Sequence, residues 1–138
     1  MANGKPKQES FGVHNGYRWM ILANPLGFRC GYMQVPEGHP WYGKSYDDLH
    51  DVDVHGGLTF SEMVKEGNTL FPGYWIGFDC GHSMDAHDPA CADHESDIEV
   101  FFLINHGGGK IRTLEYVQAE CCKLCDQAHD VIAKDILA

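Results

Sequence analysis

The sequence predicts an α+β domain: a four- to five-stranded, mostly antiparallel sheet with one long C-terminal helix packed across it. Three observations carry this. Short apolar and aromatic runs recur between turn-forming Gly, Pro and Asn residues through the first part of the chain. The C-terminal third changes to helical spacing. The chain has 138 residues, which suits one domain, and no internal repeat is visible. Residues 1–12 read as a flexible tail and 13–138 as the domain.

The elements follow in order. Residues 17–23, Tyr-Arg-Trp-Met-Ile-Leu-Ala, read as a strand. Asn24-Pro-Leu-Gly27 is turn chemistry, because Pro presets one φ and Gly tolerates a positive one. Residues 28–35 alternate and read as the return strand of a hairpin. Residues 36–53 form a long connection, with one helical turn expected at 45–50. Residues 54–64 are a third strand candidate, with His55, Gly57, Thr59 and Ser61 on one face under period two. Gly56-Gly57 predicts a bulge or a close approach to the backbone. Residues 74–80 are almost wholly apolar and read as a central strand. A Gly/Asp/His-rich loop (81–97) leads to a fifth candidate strand at 97–105 and a Gly-rich break at 106–110. Thr113 then suits an N-cap, and Glu115 complements the helix dipole. Leu114, Val117, Cys121, Leu124, Ala128 and Val131 step by three and four, giving an amphipathic helix of about 23 residues, about 34 Å long.

Composition narrows the function. Apolar residues make up 43% and aromatics 12%, which excludes a disordered chain. The apolar runs are too short to cross a bilayer. The first ten residues hold no apolar segment of a secretory signal, so the expected setting is a reducing cytoplasm. Six cysteines then read as free thiols, mostly small core residues. Net charge is −10, and between Asp47 and Glu99 thirteen acids face one base, Lys65. Such a surface repels phosphate backbones, so direct nucleic-acid binding is disfavoured. It suits a cation, a basic protein partner or simple solvation. A homo-oligomer is compatible with the long helix but is not required.

Polar chemistry concentrates in three segments. The first holds Glu37, His39, Trp41 and Tyr42 and runs on to Tyr46, Asp47 and Asp48. The second is His55-Gly56-Gly57-Leu58-Thr59. The third is Asp79-Cys80-Gly81-His82 with Asp85. Each lies next to glycine at a strand end or in a loop, where backbone can approach a ligand. If the third and fourth strands form a hairpin, the second and third segments meet.

Several strings carry a resemblance: Val35-Pro-Glu-Gly-His-Pro-Trp-Tyr-Gly-Lys44, Tyr46-Asp-Asp-Leu49, Val54-His-Gly-Gly-Leu-Thr59, Trp75-Ile-Gly-Phe-Asp-Cys80 with His82 and Asp85, and Thr113-Leu-Glu-Tyr-Val117. They resemble a family of small proteins encoded in bacteriophages and prophages. The resemblance covers most of residues 17–130 and fits least at 87–109, which reads as a local insertion. It implies a phage accessory product acting in host cytoplasm. It brings no catalytic assignment.

Three functional readings follow. In the first, His39, Trp41, Tyr42, His55, Gly56, Gly57 and Thr59 form a polar and aromatic pocket for a small ligand. By analogy with phage proteins that sequester host-defence signals, that ligand would be nucleotide-like. In the second, His55, Asp79, His82 and Asp85 hold a divalent metal (Zn, Mg or Mn), and Glu37 acts as general base of a hydrolase. A zinc clip from Cys80, His82, Cys91 and His94, or a Cys80 nucleophile beside His82, are variants of this. In the third, the acidic surface is a decoy for a basic host protein. Against all three stands the plain reading of these residues as turns and braces of the fold.

Overall fold

The computed structural model describes residues 6–66, 68–86, 88, 90 and 109–137. Five strands form an antiparallel sheet: β1 (Lys7–His14), β2 (Tyr17–Asn24), β3 (Phe28–Val35), β4 (Phe60–Val64) and β5 (Gly73–Asp79). Their order is β1-β2-β3-β5-β4. A short pair, β6 (Asp85–Ala86) and β7 (Lys110–Ile111), runs parallel. The helix α1 (Leu114–Leu137) closes the chain. The fold is thus α+β, with the helix packed on the sheet.

The β2–β3 hairpin forms as its turn residues demand. Gly27 N–H donates to Asn24 O at 2.9 Å, and Asn24 Oδ1 accepts from Leu26 N–H at 2.9 Å. The N-terminal tail is corrected: residues 7–12 belong to β1 and pair with β2 from Lys7↔Ala23 onward. The strand Lys-Gln-Glu-Ser-Phe-Gly-Val-His is mostly exposed or half-buried, so no apolar pattern marks it. Its signal is the turn that follows. Asn15 (φ 54°) and Gly16 (φ 88°) supply the two positive φ values of a tight two-residue hairpin.

The third candidate strand is shorter than expected. Gly56 (φ 68°) and Gly57 (φ 80°) put 54–57 into a turn, closed by Gly57 N–H to Val54 O at 2.9 Å. Pairing with β5 begins only at Thr59 N–H, which donates to Gly77 O, and β4 follows. The period-two face through His55, Gly57 and Thr59 therefore does not exist. The expected helical turn at 45–50 is a 3-10 turn over Tyr46–Asp48, capped by Ser45. β5 is interior, between β3 and β4. The fifth candidate strand at 97–105, and Cys91 and His94 of the zinc clip, lie outside the described residues.

Both faces of the sheet are buried. On one, Ile21, Met33, Val35, Ile76 and Phe78 meet Val117, Cys121, Leu124, Cys125 and Ala128 of α1. These helix residues follow the spacing read from the sequence. On the other, Met20, Leu22, Val64, Leu70 and Trp75 form a second cluster, with Tyr32 and Phe60 beside it. The segment after β4 covers this face, and Trp75 Nε1–H donates to Phe71 O at 2.7 Å. Unbroken apolar runs in β2 and β5 are the expected mark of strands covered on both sides. Helix and sheet approach closely at Gly31, where a Cβ would stand 2.5 Å from Phe78 Cζ and 2.8 Å from Cys121 Sγ. No helix among the described residues is long and apolar enough to cross a membrane.

Candidate functional site

Thr113 starts the helix, accepting from Tyr116 N–H at 3.2 Å through Oγ1. This places Tyr116 and Glu120, one turn apart, on the flank of α1 beside the 54–57 turn. The short β6–β7 pair brings Asp85 next to Arg112 at the helix start. Three segments distant in sequence, the 54–57 turn, β6 and the start of α1, therefore meet at His55.

The backbone N–H and both ring nitrogens of His55 have partners. Its backbone N–H donates to Glu120 Oε1 at 2.8 Å. Nε2 lies 2.9 and 3.0 Å from the two Asp85 carboxylate oxygens, and Nδ1 lies 2.8 Å from Tyr116 Oη. An ionised carboxylate only accepts, so Nε2 carries the proton; in the neutral imidazole Nδ1 then accepts and the Tyr116 hydroxyl donates. Asp85 also accepts from Arg112 Nε at 2.7 Å and from His82 N–H at 3.1 Å. The His55–Asp85 contact is dry: the two side chains are 4% and 1% exposed. Arg112 lies over the Tyr116 ring, 5.2 Å from its centroid.

The electrostatics follow from these contacts. Burial pushes the Asp85 carboxyl up, but hydrogen bonds from His55, Arg112 and the His82 N–H outweigh it and hold it below its ordinary value. Burial, then the nearby Glu120 charge, raises the Tyr116 phenol, while Arg112 pulls it back. Tyr116 therefore rests protonated, as the hydrogen-bond assignment requires. Cys80 is buried, and its thiol is pushed far up by burial first and then by Asp85, Cys30 and Asp79. A buried thiol raised in this way favours the reading of Cys80 as a core residue over the thiolate variant.

The residues of the metal reading lie together. His55, Asp79, His82 and Asp85 are neighbours, but they are arranged as hydrogen-bond partners. Among the described residues no three His, Cys, Asp or Glu side chains are grouped to hold a metal ion. The reason is occupancy: Asp85 already receives His55, Arg112 and a backbone N–H, and both His55 ring nitrogens are used. Asp79 accepts from Thr59 Oγ1 and Gly81 N–H, each at 2.9 Å. His82 Nε2 is buried and has no hydrogen-bond partner among the described residues. It lies 3.5 Å from Asp79 Oδ1. Gly56 makes room for it, since a Cβ there would stand 2.3 Å from His82 Nε2.

The first segment lies elsewhere. His39 is buried; Nε2 donates to Ala128 O at 2.9 Å, and Nδ1 accepts from Trp41 N–H at 3.0 Å. Its ring packs edge-on against Tyr17 and Trp41 at 5.7 and 5.1 Å. With both nitrogens used, His39 clamps the connection to the helix. Ala128 is twelve residues along the helix from Tyr116, about 18 Å at helical rise. The single pocket expected from His39 to Thr59 is thus two places. Tyr42 packs against Tyr74 at 5.5 Å. Glu37 is exposed in the turn after β3, away from His55, and makes no hydrogen bond or ion pair among the described residues.

Trp41 instead walls a groove of 460 Å³ between the 40–52 connection and the second half of α1. Leu49, Val52 and Val131 add apolar wall, and Lys44, Asp48, Asp51, Asp130 and Lys134 surround it with charge. Gln127 ties the two sides, donating to Asp53 O and accepting from Asp53 N–H, each at 2.8 Å.

The sequence reading missed Tyr116, Arg112, Glu120 and Gln127. Part of the signal was available: Tyr116 and Glu120 stand four residues apart on the flank of the apolar stripe. Comparison with protein-family models, curated proteins and solved structures found no match.

Proposed function

We propose that this chain binds a small amphiphilic molecule in the groove beside Trp41. The supporting observation is the groove itself: 460 Å³ of concave space with an indole and aliphatic wall and a charged rim. That volume falls in the range of small-ligand sites, about 300–1,000 Å³. Three carboxylates against two lysines disfavour a phosphate-rich ligand. The nucleotide-like expectation therefore narrows to a neutral, cationic or zwitterionic molecule with a stackable body. If the phage resemblance holds, the protein is an accessory factor that sequesters such a molecule in the host cell.

Native mass spectrometry tests this, comparing the wild-type chain with Val131→Trp, which fills the groove. The expected result is a bound small mass in the wild type that is lost from the variant. A mass retained by Val131→Trp, or a bare wild-type protein, sinks the groove reading. One observation favours a second reading, binding to a basic protein surface. Asp47, Asp48, Asp51 and Asp53 are all exposed on one connection. Reversing these four charges would then abolish capture of the partner, and filling the groove would not.

A further inference from the structure

We infer that Tyr116 is a nucleophile, activated by the His55–Asp85 pair, that accepts an acyl group from an activated ester. The groove reading does not enter this; the site is a different one.

The geometry is that of a hydroxyl, a base and an orienting carboxylate in line. Tyr116 Oη lies 2.8 Å from His55 Nδ1, and His55 Nε2 lies 2.9 Å from Asp85 Oδ1. The base cannot rotate away, because its backbone is held by Glu120 and its ring by Asp85. Arg112 holds the carboxylate from the far side through Nε. The arrangement fixes the imidazole tautomer so that its free lone pair meets a protonated phenol. Tyr116 is half-buried, in contrast to the 4% exposure of the His55 side chain, so of the three side chains in line the phenol's is the one that keeps some contact with solvent. Beside this line lies the buried His82 Nε2 that has no partner among the described residues, its ring centroid 5.9 Å from that of His55. A buried polar nitrogen without a partner is expensive and suits a group that bonds only when something else arrives.

The chemistry balances. Tyr116 Oη attacks the acyl carbon and passes its proton to His55 Nδ1; the imidazolium is stabilised by Asp85. The C–O or C–S bond to the leaving group breaks, and the leaving group takes the proton from His55. Water, deprotonated by the same nitrogen, then hydrolyses the aryl ester, releasing the acid and restoring Tyr116. Because the nucleophile is a phenol, the leaving group must be no poorer than a phenolate. This selects aryl esters or thioesters over alkyl esters and amides. Asp79, Asp85 and Glu120 around the site select a neutral electrophile over a phosphoester.

The test uses the full chain and two probes, phenylmethylsulfonyl fluoride and p-nitrophenyl acetate. Labelling is read by intact mass and peptide mapping, turnover by p-nitrophenolate release. The expected result is one sulfonyl group on Tyr116 and ester turnover that falls to background in Tyr116→Phe. His55→Gln should slow labelling of Tyr116 by about a hundredfold, the usual worth of a positioned base. Exposed Tyr46 is the internal control. Labelling of Tyr46 as fast as Tyr116, or turnover unchanged in Tyr116→Phe, overturns the proposal. Should His55→Gln fail to fold, Tyr116→Phe still decides, since it removes one oxygen and keeps the ring in place.

Discussion

Asp85→Asn probes the centre of the site. The substitution keeps the shape of the side chain and removes its charge. Four donor contacts between 2.7 and 3.1 Å converge on the carboxylate, from Arg112 Nε, His55 Nε2 (to both oxygens) and His82 N–H. An amide has one acceptor oxygen, so its NH₂ must face a donor. Breaking a buried pair by removing one partner costs about 3–5 kcal/mol. The Arg112 side chain is 19% exposed and can recover some hydration, which puts the expectation at the low end, about 3 kcal/mol. For a domain of this size that is a fall in Tm of about 10 °C. The effect also depends on pH. The Asp85 carboxyl is held below its ordinary value in the fold, so its stabilisation is present above the unfolded value, about 4, and is lost as pH falls through the folded value. Urea unfolding of wild type and Asp85→Asn from pH 7 down to pH 3 should show a gap that narrows in acid. A gap under about 1 kcal/mol at pH 7, or one that does not narrow in acid, would refute the account of Asp85 as a charged, fully bonded hub.

Other expectations concern the frame. Arg29 is buried and donates to both Glu9 oxygens at 2.7 and 3.0 Å and to Asp88 Oδ2 at 2.5 Å, tying β1 and β3 to the loop after β6. Arg29→Met leaves two carboxylates without that partner and should cost about 3–5 kcal/mol in urea unfolding at neutral pH. Gly31→Ala places a methyl against Phe78 and Cys121 and should cost about 1–3 kcal/mol, read as a lower urea midpoint with unchanged slope; a neutral result would show that α1 does not press on β3 as described. Cys125 is buried, its thiol pushed up to about 12 by burial and then by Cys122 and Asp126. Iodoacetamide at pH 8 should therefore modify half-buried Cys122 before Cys125 or Cys121, with the order read by peptide mapping.

The amino-acid sequence by itself determined what local chemistry controls. The Asn24–Gly27 turn, the β2–β3 hairpin, the interior place of β5 and the 24-residue helix with its apolar stripe are all written in turn residues and periodicity. It also marked His55, His82 and Asp85 as neighbours through the expected β4–β5 pairing. Two local signals were read too weakly. Asn15-Gly16 defines the first hairpin although β1 lacks apolar alternation, and Gly56-Gly57 ends a strand pattern that period two alone extends. The tertiary structure decided the rest. It joined His55 and Asp85 to Arg112 and Tyr116 in a hydrogen-bonded line. It also split the expected pocket, because His39 docks on Ala128 while His55 docks on Tyr116, three turns away along one helix. Such partnerships join residues 30 to 89 positions apart, and no spacing rule encodes them. They are selected by which buried donors and acceptors satisfy one another once the core has closed.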